Sequence, residues 1–458
     1  MPADDDHRGR ARRPLRPGRG RARRNAGLGP GRGSSPLSRR HAWPVSRLGW
    51  IWAQVTRRLW FRVGVFGLAA VASALVAAWA APFVPKQLTD RVREGSAQQI
   101  LSILASSMLL AATFALGTMV QAFAAAAQVA TPRATAVLID DPFSQNVLST
   151  FLGAFVFSIV ALIGHSVSYY GPGGEVVLMA ATALVVVVVI TAFFGWLDHL
   201  VGLTRLGETI RKIERRAADA LAATAREPHL GGVPPDADPL GRPVPASETG
   251  YVNHLDLSAL QAVAEGTGGR ILVAALPGKL VDPGTALAKT DWQVSEEEAR
   301  SIRDAFPLMP ERTFEQDPRF CLAVLTEIAS RALSPGINDP GTAIGVIATQ
   351  QRLLTDWARA ERSGEAARYA AVAVPELPTL DLMEDAFGPL VRDTAGIVEA
   401  GLRLQKALAA LAAADPDRFG RVACEFSERA LAHAEKSLAL PEDRARLAAA
   451  APAGAARA

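Results

Sequence analysis

The chain has 458 residues, 49% hydrophobic and 21% charged, with a formal net charge of +4 and a mean hydropathy of +0.16. Two cysteines exclude a disulfide scaffold, and the positive hydropathy argues against a plain soluble chain. Charge is nearly absent from residues 63–197 and dense on both sides, so the composition points to a membrane-anchored protein.

The basicity is local. Residues 1–62 hold sixteen arginines against Asp4, Asp5 and Asp6, and the remainder of the chain is net negative. Arginine-rich arms bind phosphate, but this one has no aromatic residue before Trp43 on which bases stack. No nucleic-acid partner is expected. Residues 1–49 read as a disordered Arg/Gly/Pro-rich arm, because such segments bury too little apolar surface to offset ordering entropy. The first apolar run starts near Val63 and is too long for the core of a signal peptide.

Residues 50–200 read as a four-span transmembrane region, with spans at about 63–84, 100–127, 147–169 and 176–197. Each satisfies the rule of about 20 apolar residues for a hydrocarbon core of about 30 Å. The β-branched run 185–190 suggests a strand in water, but in lipid the backbone must satisfy itself as helix. Gly171-Pro172-Gly173-Gly174 is expected to turn the chain between spans three and four. Arg57, Arg58 and Arg62 precede span one, and Arg205, Arg211, Lys212, Arg215 and Arg216 follow span four. The loop between spans three and four has no Lys or Arg, while the loop between spans one and two opposes this pattern with Lys86, Arg91 and Arg93, partly offset by Asp90 and Glu94. Both termini are therefore expected in the cytoplasm of a bacterial inner membrane.

No Asp, Glu, Lys or Arg lies inside a span, and His165 near the outer end of span three is the one ionisable group there. Ser102, Ser106, Thr113 and Gly117 fall near one face of span two, as a pore lining or a packing seam. A pore built from this chain needs several copies, which makes a homo-oligomer part of that reading. Asp140-Asp141-Pro142 reads as the capped start of span three.

After the spans, 201–249 reads as an amphipathic helix and a Pro/Gly-rich loop, and 250–292 as a small β unit. Ser258-x-x-Gln261 and Ser295-x-x-Glu298 are capping-box patterns. Residues 293–440 read as a helical cytoplasmic domain, with helices at 318–333 behind Asp317, at 340–359 behind Asp339, and later at 397–412 and 418–438. Residues 441–458 read as an Ala-rich tail. The fold class is thus an α-helical integral membrane protein: four transmembrane helices followed by a mostly helical α+β soluble domain containing a small β unit. Cys321 and Cys424 read as reduced, small apolar residues.

The densest motif runs from Arg312-Thr313-Phe314-Glu315-Gln316-Asp317 to Arg331-Ala332-Leu333-Ser334-Pro335-Gly336-Ile337-Asn338-Asp339-Pro340. Two helix starts with proline at the first position meet here, and free helix N–H groups attract anions. Glu327 and Arg331 are spaced i, i+4 and are expected to share a face. Arg312, Glu315, Asp317, Glu327, Arg331, Asn338 and Asp339 are the ligand-binding candidates, against the plainer reading of a well-capped corner. The phrase 331–343, with Arg312 to Asp317, Phe151-Leu152-Gly153 and Gly250-Tyr251-Val252, resembles the signature of a bacterial family of membrane proteins, the domain of unknown function 2254. The resemblance covers about residues 50–440. It implies an inner-membrane protein with an N-terminal four-span region and a C-terminal soluble domain, and it implies no activity. Gly341 departs from the larger residue expected at that place.

Three functions compete. The first is a non-enzymatic membrane protein whose cytoplasmic domain binds a ligand or partner. The second is a small oligomeric channel or transporter gated by that domain. The third, an enzyme, is the weakest: there is no Gly-x-Ser-x-Gly elbow, phosphate loop or His-Glu-x-x-His motif. His199, His229, His254 and His433 have no spacing for shared ligation, so neither metal nor cofactor is expected.

Overall fold

The computed structural model describes residues 96–129, 131–134, 142–203, 206–236, 241–314, 316–364 and 366–453, with scattered positions between 61 and 85. The arm at 1–49, most of the first expected span, the Asp140-Asp141 pair and Glu315 lie outside the described residues.

Three described helices are long and apolar enough to cross a membrane: within α1 (Ser96–Val129), Ala97–Ala124; within α2 (Pro142–Ser166), Phe143–Ser166; within α3 (Pro172–Leu203), Gly173–Leu200. The β-branched run 185–190 is helical, as the reading of this stretch as a membrane span expects. Leu104, Met108, Phe151 and Trp196 form the inner packing of the three helices, and Leu101, Phe157, Leu178 and Tyr170 pack at the other end. Buried hydroxyls on Ser149, Ser158 and Thr182 donate to carbonyls four residues earlier in their own helices. The turn between α2 and α3 is not made by the Gly-Pro-Gly-Gly run. Ser168, at φ +53°, makes the reversal, and α3 already starts at Pro172. Proline is preset for the first helical position, so it opens the helix instead of bending the loop. Ser102, Ser106, Thr113 and Gly117 are all exposed on α1, outside this packing.

Helix α4 (Leu206–Arg226) begins three residues after α3 ends. Its apolar stripe of Ile213, Ala217 and Leu221 is buried. This stripe enters the main helical core with α7 (Pro318–Ala332), α8 (Pro340–Arg359), α9 (Thr379–Asp393), α10 (Val398–Ala414) and α11 (Pro416–Ser437). Helix α12 (Pro441–Ala449) packs back on α10 through Leu447 beside Gly401, where the sequence suggested only a tail.

The β unit is larger than the 250–292 stretch. Strands β1 (Arg242–Pro245), β5 (Ala286–Thr290), β3 (Ile271–Val273) and β7 (Val372–Ala373) form one sheet in that order, and β4 (Leu280–Val281), β2 (Gly250–Val252) and β6 (Leu308–Met309) form a second. β1 lies in the expected Pro/Gly loop. It carries Pro243 and Pro245 because it is an edge strand, where missing N–H donors are tolerated. β7 arrives from a distant segment and pairs parallel to β3. Two helices complete the unit. In α5 (Leu257–Thr267) the cap is Asp256, which accepts from the Ala259 N–H at 3.1 Å, and not Ser258. In α6 (Glu296–Asp304) the Ser295–Glu298 capping box forms in both directions.

Candidate functional site

The signature residues fall into two groups at opposite ends of α7. Fifteen residues at 1.5 Å each separate them by about 20 Å.

At the start of α7, Asp317 is 4% exposed and caps the helix by accepting from the Phe320 N–H at 3.0 Å. Arg312, 18% exposed, grips the same carboxylate with two bonds, Nε to Oδ2 at 2.7 Å and Nη2 to Oδ1 at 3.0 Å. Its guanidinium also lies over the Phe320 ring, 5.1 Å from the centroid. Two parallel bonds in a buried place make a strong, directional pair. The loop after β3 closes on it: Gly278 has φ +90°, and a Cβ there would sit 2.3 Å from Asp317 Oδ2. Gln316 Oε1 accepts from the Leu255 N–H at 3.0 Å, and Asn253 Nδ2 donates to the Glu311 carbonyl at 3.0 Å. This first group therefore joins the β unit to the helical core. His254 is buried at the same joint. Burial pushes its imidazole below the ordinary value, opposed by the nearby Asp256 charge and a bond with Gln316.

Two residues on, Arg319 bonds Asp385, Nε to Oδ2 at 2.6 Å, and also Asp381, tying α7 to α9. Burial holds the Asp385 carboxyl above its ordinary value although Arg319 and Arg312 oppose this. Neither Arg319 nor these aspartates stood out in the sequence, since salt links between distant helices leave no local pattern. Cys321 is fully buried, and desolvation, with Asp317 next, pushes its thiol up to about 12. Burial thus outweighs its place in the first turn of α7.

At the other end of α7, Glu327 pairs with Arg133 from the segment that follows α1. Ala134, beside it, is buried in the main helical core. Arg133 stood out in the sequence only as an orientation signal. The corner after α7 is internally bonded. The Ile337 and Asn338 N–H groups donate to the Ser334 carbonyl at 3.0 and 2.9 Å, and the Asp339 N–H to the Ala332 carbonyl at 2.8 Å. Asn338 takes the left-handed conformation, φ +50°, which asparagine tolerates. Asp339 caps α8: Oδ1 accepts from the Thr342 N–H at 3.1 Å and Oδ2 from its hydroxyl at 2.6 Å. Those bonds hold its carboxyl below the ordinary value. Each helix start that the sequence offers to an anion is thus occupied by the chain's own carboxylate, Asp317 for α7 and Asp339 for α8. Residues 335–339 are exposed and Arg331 is half-buried.

The family described as a predicted membrane protein, DUF2254, matches residues 56–410. Uncharacterized proteins of Mycobacterium bovis and Mycobacterium tuberculosis are each 25% identical over 296 residues, covering 59% of this chain and 56% of theirs. This chain thus spans little more than half the length of the curated relatives it matches. No solved structure matches.

Proposed function

This chain belongs to the DUF2254 family of predicted membrane proteins, and from that premise we propose a non-enzymatic membrane protein whose C-terminal part binds a ligand or partner on the cytoplasmic side. The observation that carries the reading is the joint between membrane helices and helical core. α4 leaves α3 and runs into that core, while Ala134 is buried in it and Arg133 holds Glu327. An event at the core is thereby felt by two connections to the membrane helices. The charge distribution supports the cytoplasmic side. Arg133, Arg211, Lys212 and Arg215 lie near one end of the candidate spans, and the turn between α2 and α3 has no basic residue other than the flanking His165.

The two groups of candidate residues differ in what they offer. Arg312 and Asp317 are closed on each other, so they act as a joint. The corner with Glu327, Arg331, Asn338 and Asp339 is the accessible one and is where a ligand or partner meets the protein. The second reading, an oligomeric channel or transporter gated by the soluble part, draws on the exposed face of α1 with Ser102, Ser106, Thr113 and Gly117. Their hydroxyls are not idle: Ser106 and Thr113 donate to carbonyls of their own helix.

Ion flux in proteoliposomes separates the two. We expect no protein-dependent flux of protons, potassium, sodium or chloride, either from the full chain or from a chain ended after residue 204. Flux that appears with the protein and changes on truncation would overturn the binding reading in favour of the gated channel.

A further inference from the structure

Contacts between the helices fix which end of the helical core faces the membrane helices. α8 runs antiparallel to α7, since Gln350 Nε2 donates to the Leu322 carbonyl at 3.1 Å and to Thr326 Oγ1 at 2.8 Å. α4 runs alongside α8, with Glu214 paired to Arg352 and the Arg226 carbonyl accepting from the Ser363 N–H at 2.7 Å. The start of α4, three residues from the end of α3, is therefore level with the start of α8. Arg133 on Glu327, the tenth of the fifteen residues of α7, gives the same level independently. Along the axis of α4, at a rise of 1.5 Å per residue, the start of α8 lies about 6 Å beyond the start of α4. The corner between α7 and α8 is thus at the end of the helical core that faces the apolar helices.

The chemistry of that corner suits such a place. Between Arg331 and Asp339 no residue is charged. Its apex is Ile337, a large apolar side chain left 38% exposed. The N–H groups of Ile337, Asn338 and Asp339 are all spent on carbonyls of the corner itself. Donors already bonded within the chain lose nothing where water is scarce, and an exposed apolar side chain gains by leaving water in the headgroup layer. A second exposed apolar residue, Leu440, follows α11. α11 pairs Ser427 with Gln405 and then runs on to Ser437, back toward the start of α10.

We propose that the corner 334–339 rests in the headgroup layer of the bilayer, with Ile337 inserted as its apolar contact. The proposal deepens the binding reading by naming the partner at this corner as the lipid surface, and it rests on α3 crossing the membrane. In this arrangement the signature corner is a foot. It sets the height of the helical core over the bilayer, and the Arg133–Glu327 pair beside it links that height to α1.

Site-directed nitroxide labelling of the full chain tests it. Cys424 is replaced by Ser, Cys321 stays because it is buried, and single cysteines are placed by Ile337→Cys, Leu380→Cys and Phe194→Cys. Leu380 is 47% exposed at the start of α9. That end is distant from the membrane because Arg319 near the start of α7 pairs with Asp381. Phe194 is 66% exposed on α3. The protein is placed in vesicles of phosphatidylethanolamine and phosphatidylglycerol. Collisions with oxygen, which concentrates in lipid, are compared with collisions with a nickel chelate, which stays in water. The expected order of chelate accessibility is 380 highest, 337 clearly lower, 194 lowest. A label at 337 as accessible to the chelate as that at 380 overturns the proposal while leaving the binding reading in place. A label at 337 shielded from both reagents also overturns it, since protein and not lipid then covers the corner. If the label at 194 meets the chelate freely, the spanning of α3 fails and the proposal falls with it.

Discussion

Asp317 does three things with one carboxylate: it caps α7, receives both arms of Arg312, and leaves room only for a glycine at 278. Removing it strands a largely buried guanidinium, which is far costlier than losing a surface ion pair. We expect Asp317→Ala to destabilise the soluble part by about 3 kcal/mol. Thermal unfolding in detergent should show it, and an unchanged transition would mean the pair is not formed. His254 has the opposite character, a buried ring kept neutral by desolvation. Its folded value lies below the ordinary 6.5, so the unfolded chain takes up the proton first. Its share of stability is present above that value and is lost as pH falls below it. The transition temperature should drop as pH goes below about 6.5, and a His254→Gln variant should flatten that slope; an equal slope in both proteins would assign it to other groups.

Between elements, the binding of α7 to α9 depends on a proline. Pro389 inside α9 has no N–H for the carbonyl of Asp385 four residues earlier. The Thr326 hydroxyl of α7 lies 2.7 Å from the carbonyl oxygens of both Asp385 and Ala386, with Gln350 donating to it from α8. Thr326→Val keeps the shape but leaves that carbonyl without its donor, at a cost of about 1–2 kcal/mol, readable as a lower denaturant midpoint with an unchanged slope. An unchanged midpoint would show that the hydroxyl contributes nothing. Elements of this kind also mark what the sequence conceals. Helices α7 and α8 were legible because Asp-Pro pairs announce their starts. Helix α9 was not, because it begins without a side-chain cap and carries an internal proline. Strand β1 was hidden by two prolines and β7 by its distance from the rest of its sheet. At the site, Arg312 and Asp317 were legible as a motif, but their mutual closure was not. Arg133 could not be joined to Glu327, because the two are 194 positions apart.

Over the whole molecule, three bodies of packing meet in series. The β unit is fastened to the helical core by the Arg312–Asp317 joint. The core is fastened to the membrane helices by α4 and by the segment 131–134. This order explains why the conspicuous motif residues lie at the two ends of α7: one end holds the β unit and the other faces the membrane helices. It also makes the membrane-side contact the feature on which both the binding reading and the placement of the corner depend. The most direct measurement is crosslinking in native membranes with a short bis-maleimide. Paired cysteines are placed by Arg133→Cys with Glu327→Cys and, as a reference within the core, by Glu214→Cys with Arg352→Cys, both with Cys424→Ser. We predict efficient crosslinking of both pairs. Crosslinking of the 214–352 pair without the 133–327 pair would contradict the account, since the helical core would then not be seated on the membrane helices.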